Sequence, residues 1–97
     1  MEYRTLGKTG IRVSAIALGC EGFMHKSAAE VKADFDHAIA AGVNFIDIYS
    51  PNPDLRRNIG AALAGRRDSF VIQGHLCTVW EDGQYLRTRD VAKVMPA

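Results

Sequence analysis

Apolar residues in this chain fall into short continuous runs separated by stretches of helical period. Ala15-Ile16-Ala17-Leu18 is one such run and is stopped by Gly19. Val43 to Ile48 and Phe70-Val71-Ile72 are two more, the last closing at Gln73-Gly74. Runs of this length suit strands buried on both faces of a sheet. Between the first two, Ser27-Ala28-Ala29-Glu30 forms a capping box. The helix it opens carries Ala28, Val31, Phe35, Ala38 and Ile39 on one face, with Lys32, Asp34 and Asp36 off it, and Gly42 is a left-handed stop. A second helix is expected from about Asp54 to Ala64, with Asp54 as N-cap, Leu55, Ile59, Ala62 and Leu63 inward, and Gly65 ending it.

The two ends differ from this alternation. Glu2 to Leu6 and Ile11 to Val13 flank Gly7-Lys8-Thr9-Gly10, which reads as a β-hairpin. Residues 75 to 87 read as a long loop with a tight turn at Glu81-Asp82-Gly83-Gln84. Thr88 is expected to cap a third helix through Arg89 to Val94, halted by Pro96. The three buried runs start at residues 15, 43 and 70, spacings that fit right-handed βαβ crossovers.

Composition narrows the function classes. With 97 residues the chain is at most one small domain, and 47% hydrophobic residues are enough for a core. Twelve basic and eleven acidic residues give a net charge of +1. No basic stripe is present, so neither nucleic acid nor an anionic membrane is an expected partner. Arg56-Arg57 and Arg66-Arg67-Asp68 read as solvated helix ends. No apolar stretch is long enough to span a bilayer, and Met1-Glu2 begins no secretory signal. Cys20 and Cys77 stand alone, which suits a reduced, cytoplasmic chain.

Asp47 is the residue that carries most information. It closes an apolar strand, where a carboxylate is costly without a partner or a task. In parallel α/β proteins the carboxyl ends of the strands form the ligand-binding face.

The opening Tyr3-Arg4-Thr5-Leu6-Gly7-Lys8-Thr9-Gly10-Ile11-Arg12-Val13-Ser14 resembles the start of the bacterial aldo-keto reductases. The resemblance continues through Ala17-Leu18-Gly19-Cys20, Gly42-Val43-Asn44-Phe45-Ile46-Asp47, Ile59-Gly60-Ala61-Ala62-Leu63 and Phe70-Val71-Ile72. It implies an α/β architecture: an N-terminal hairpin (1–14) and the first three βα units (15–97) of a (β/α)₈ TIM barrel, one truncated, partial domain over 1–97. The resemblance further implies that the hairpin plugs the barrel bottom and that NADPH lies across the top. Gly19, Cys20 and Asp47 would then lie near the nicotinamide as cofactor-binding residues. Family chemistry reduces a carbonyl by hydride transfer, with a tyrosine donating the proton, a lysine lowering its pKa and an aspartate holding the lysine.

Asp47 falls on that aspartate, but its partners differ. The family tyrosine is replaced by Asn52, followed by Pro53, and the family lysine by His75. Tyr49, two residues past Asp47, would need a rebuilt loop to supply the lost phenol. The family's substrate-orienting histidine follows a fourth strand that these residues do not include. An asparagine amide delivers no proton, whereas a histidine can, its free imidazole titrating near ~6.5. The expected catalytic set is therefore Asp47, His75 and Asn52, with His75 as proton donor in a carboxylate–imidazole pair. The equal alternative is that His75 fills the lysine's space beside a buried acid.

Other candidates point to no separate chemistry. His75-Leu76-Cys77 offers two metal ligands at most, so no metal is expected, and small buried cysteines are the favoured reading of Cys20 and Cys77. Gly19-Cys20-Glu21-Gly22 is no dinucleotide fingerprint. His25 and Glu21 read as loop polarity and His37 as solvated. Trp80 and Tyr85 either cover a ligand or pack on the barrel rim. Because a barrel takes ~250 residues, a 97-residue chain is expected to leave an open sheet edge, to self-associate there and to be inactive alone. Two functions follow: part of an NADP(H)-dependent reductase acting on a small carbonyl compound, or a non-catalytic binding module.

Overall fold

The computed structural model describes residues 1–95. Strands β1 (Tyr3–Thr5) and β2 (Arg12–Ser14) pair antiparallel around the glycine turn, with Gly7 and Gly10 at positive φ. Strands β3 (Leu18–Gly19), β4 (Phe45–Ile48) and β5 (Val71–Gly74) form a parallel sheet in that order. Helix α1 (Ala28–Ala40) connects β3 to β4, and α2 (Pro53–Ala62) connects β4 to β5. This is a small α/β unit with separate antiparallel and parallel sheets.

The capping box of α1 forms as the sequence predicts. Ser27 Oγ accepts from the Glu30 amide, and the Glu30 carboxylate accepts from the Ser27 amide. Those bonds hold the Glu30 carboxyl below its ordinary range. Gly42 ends the turn with φ +89°. Helix α2 starts differently from expectation: Asn52, not Asp54, is the N-cap, its Oδ1 accepting from the amides of Asp54 and Leu55. Pro53 decides this, since its fixed φ suits the first helical position and it lacks a donor to satisfy.

One face of the sheet builds the core. Ile46 is fully buried against Val31 and Phe35 of α1 and Leu55 and Ile59 of α2, with Leu18, Ile48 and Ile72 packed beside it. Burying side chains of this size stabilises by about 1.5–3 kcal/mol each. All four inward residues expected of α2 are buried, whereas Ala28 of α1 is exposed. Arg66 is not a solvated helix end. Its Nη2 sits 2.7 Å from Asp36 Oδ1 and its Nε donates to the Ala62 carbonyl, tying the end of α2 to α1. Lys32 and Arg66 together hold the Asp36 carboxyl below its usual range.

Parallel partners share a face, so the register assigns the other side of the sheet. Gly19 pairs with Asp47, Asp47 with Gln73, and Phe45 with Val71. These residues lie outside the core cluster.

Three further expectations are corrected. Ala15, Ile16 and Ala17 are exposed and precede the strand, Ile16 being 66% exposed. Strand β3 is an edge paired only with β4, and the Ala15 amide and Ile16 carbonyl bond instead to the Glu2 carbonyl and Ser14 Oγ. Residues 75 to 87 are not simply a loop. β6 (Thr78–Glu81) and β7 (Gln84–Arg87) pair antiparallel across Asp82-Gly83, both at positive φ. That is the conformation an Asp-Gly turn favours between strands. The third helix, α3, is only Val91–Val94 and is capped by Asp90, whose amide bonds to Thr88 Oγ1. Pro96, expected to halt it, lies outside the described residues.

The first hairpin docks at the amino ends of the parallel strands. Asn44 Oδ1 accepts from the Ser14 amide at 2.6 Å, the Asn44 amide donates to Ser14 Oγ, and Asn44 Nδ2 donates to the Arg12 carbonyl. The Tyr3 hydroxyl donates to the Gly42 carbonyl at 2.7 Å.

Candidate functional site

The carboxyl ends of β4 and β5 bring two of the predicted residues together. His75 Nε2 and Asp47 Oδ1 are 2.7 Å apart, both side chains about one-third exposed. Asp47 is the third residue of β4 and His75 directly follows β5. Alternation along the paired strands places Asp47 on the face opposite the helices, and His75 meets it at the strand ends. A carboxylate next to an imidazole fixes the ring's orientation.

Tyr49 stands beside this pair. Its ring stands edge-on to the imidazole, centroids 5.0 Å apart at 79°. Its hydroxyl lies 2.6 Å from that of Tyr85, and the two rings are 6.1 Å apart. Tyr85 comes from β7, opposite Trp80 in the second hairpin. The hydrogen bond to Tyr49 holds the Tyr85 phenol above its ordinary pKa, and the negative charge of Glu21 pushes the same way. The Asp-Gly turn flanked by Thr78-Val79-Trp80 and Tyr85-Leu86 is the sequence signal from which Tyr85's placement was readable.

Asn52 is placed elsewhere. It caps α2 and lines a polar cavity of about 350 Å³ with His25 and Lys26. Among the described residues, no hydrogen bond joins it to Asp47 or His75. His75 lines a different, mainly apolar groove of about 470 Å³ between α2 and β5, with Ile48, Ile59, Leu63 and Ile72.

Gly19 and Cys20 close β3 beside Asp47. Gly19 is exposed, and the space where a Cβ would stand is open. Its backbone therefore leaves room for a flat group next to the Asp47 side chain. Cys20 contributes main chain only: its amide donates to the Asp47 carbonyl at 3.1 Å, and its side chain is 1% exposed. Burial, aided by the Asp47 charge, pushes the Cys20 thiol up to about 12, so it stays protonated. Cys77, expected to be buried, is exposed because it sits in the link between β5 and the second hairpin. Among the described residues, no cluster of three metal-ligating side chains occurs. No helix there is long and apolar enough to cross a membrane.

Comparison with solved structures gives this geometry a relative. Two structures, both described provisionally as an aldo-keto reductase from Pseudomonas aeruginosa, match at TM-score 0.79 and 28% sequence identity over 94% of the chain. The chain is similar to the aldo-keto reductases. It spans 37% and 36% of the length of those two chains. No family profile matches the sequence. The likeness extends over 94% of the chain and supports reading it as a portion of a barrel-like α/β fold akin to the aldo-keto reductases.

Proposed function

We propose that this chain supplies the nicotinamide-facing part of an NADP(H)-dependent aldo-keto reductase-like enzyme of the cytoplasm that reduces a small carbonyl compound. The observation that carries the reading is the Asp47–His75 contact of 2.7 Å at the mouth of adjacent parallel strands. A nicotinamide cofactor, when bound, supplies the hydride to the carbonyl carbon. The open backbone at Gly19, with buried Cys20 behind it, and the Asp47 side chain are the groups here that would border its ring. His75 then gives the carbonyl oxygen the proton that completes the alcohol, and Asp47 holds the imidazole in place. Asn52 acts from the α2 cap, shaping the adjacent loop and transferring no proton. In this reading the hairpin and the three strand–helix units belong to a (β/α)₈ barrel. The unpaired outer edge of β5 and the apolar groove beside it favour self-association of the isolated chain.

The test restores the missing length. This chain is grafted in place of the matching segment of the Pseudomonas aeruginosa relative, and NADPH oxidation is followed with a panel of small aldehydes. Turnover is expected, and His75→Gln should lower it by about 10²-fold or more, the usual worth of a positioned acid. An unchanged rate in His75→Gln would remove the proton-donor role. NADPH binding without turnover would select the second reading, a non-catalytic binding module, which the replacement of tyrosine and lysine by Asn52 and His75 favours.

A further inference from the structure

The Asp47–His75 contact is made at one particular ring nitrogen. Nε2 lies 2.7 Å from Asp47 Oδ1. An ionised carboxylate accepts hydrogen bonds and donates none, so the hydrogen between the two belongs to Nε2. A neutral imidazole carries one N–H and one bare nitrogen. With Nε2–H committed to Asp47, the bare one is Nδ1. Among the described residues, Nδ1 has no hydrogen-bond partner. It is not one of the side-chain nitrogens buried without a partner either, so it reaches solvent. The His75 side chain is 32% exposed and borders the groove between α2 and β5. The Tyr49 ring, tethered through its hydroxyl to Tyr85, stands edge-on to the imidazole at 5.0 Å and restrains its rotation. His75 is thus held at one nitrogen and open at the other.

We propose that Nδ1 of His75 is the atom through which this site exchanges a proton with its substrate, and that in the neutral ring it is a base for the hydroxyl of an alcohol. This rests on the reductase reading for the reacting group and on the Nε2–Asp47 bond for the choice of nitrogen. A bare Nδ1 only accepts, so the group that pairs with it is a donor. An alcohol hydroxyl donates, whereas a carbonyl oxygen does not. In the oxidative direction the hydroxyl proton passes to Nδ1 as the hydride on the same carbon leaves for an oxidised nicotinamide, and the C–O bond becomes C=O. In the reductive direction the ring starts with a hydrogen on both nitrogens. Nδ1 then returns its proton to the oxygen as hydride reaches the carbon. Nε2 keeps its hydrogen on Asp47 throughout, so the carboxylate orients the ring without taking part in the transfer.

Alkylation reads the nitrogen directly, because it occurs at a bare ring nitrogen. The full 97-residue chain is treated with iodoacetamide near neutral pH and digested with trypsin, which leaves each of the three histidines in its own peptide. The Nδ1 and Nε2 isomers of each alkylated histidine are separated by chromatography against standards. His25 and His37 are exposed and give the ratio of an unrestrained ring. At His75 the Nδ1-to-Nε2 ratio should exceed theirs about tenfold or more, the selectivity of a hydrogen bond to a charged group. Asp47→Asn keeps the shape and substitutes a neutral acceptor, and it should cut that excess at least about threefold. Asp47→Ala should abolish it. A His75 ratio equal to that of His25 and His37 overturns the assignment, and so does an Nδ1 excess unchanged in both Asp47 variants. Neither result touches the reductase reading, which stands or falls on NADPH turnover by the graft. In an active graft, His75→Gln should also slow alcohol oxidation by NADP+ about 10²-fold or more, and oxidation at the full rate overturns the exchange role.

Discussion

The molecule has two antiparallel hairpins, and they are fastened to the parallel sheet in opposite ways. The β1–β2 hairpin docks at the amino ends of the strands through Ser14, Asn44, Arg12, Tyr3 and Gly42, with the Ser14 side chain buried. Among the described residues, the β6–β7 hairpin is hydrogen-bonded to the carboxyl ends, where the candidate chemistry lies, through a single exposed phenol pair. Four bonds acting together, two of them partly buried, make a lasting closure. One solvent-exposed bond makes a weaker one. The amino end is thus fastened more firmly than the carboxyl end, where the candidate site lies, and in barrel-like α/β architectures those ends divide stability and function in the same way.

The sharpest way to break this contrast is Asn44→Ala. It removes the acceptor for the buried Ser14 amide and the donor to the Arg12 carbonyl. The expected loss is ~2–3 kcal/mol in urea unfolding, because a buried amide is left without a partner. Gly42→Ala should come next, at about 1–2 kcal/mol. Its φ of +89° disfavours a side chain, and an added Cβ would meet the Tyr3 hydroxyl at 2.9 Å. Asn52→Ala sets the scale of an ordinary helix cap between the two regions, and about 1 kcal/mol is expected. Smallest of all, Tyr85→Phe should change global stability by about 0.5 kcal/mol or less. If Tyr85→Phe instead cost as much as Asn44→Ala in the same urea titration, the two hairpins would be fastened alike and the contrast would fail.

Much of this was legible in the residues, and the exceptions have physical causes. The first hairpin, both long helices and the inward face of α2 follow from turn glycines, a capping box and helical period. The Asp47–His75 contact was legible too, because both residues end neighbouring strands. The Ala15–Leu18 run misled because apolar character says nothing about whether a neighbouring strand is there to cover it. Asp54 was displaced as N-cap because Pro53 takes the first helical position and hands the cap to Asn52. That same choice commits the Asn52 side-chain oxygen to the helix end, away from the pair it was expected to join. Tyr49 and Tyr85 were the hardest to place, since their meeting depends on a hairpin whose Asp-Gly turn was visible but whose strands are short and only partly buried.

The Ser14–Asn44 exchange spans thirty residues, and the Tyr3–Gly42 bond spans thirty-nine. The first hairpin can settle its own register as soon as it is made, because its contacts are local. Its docking must wait until α1 has formed and the chain has turned at Gly42. During synthesis, then, the hairpin has no part of this sheet to sit on for the time it takes to add those residues, on the order of seconds at ~5–20 residues per second. The buried Ser14 amide reports the end of that wait: its protection from exchange marks the moment when the first strand–helix unit becomes a fold.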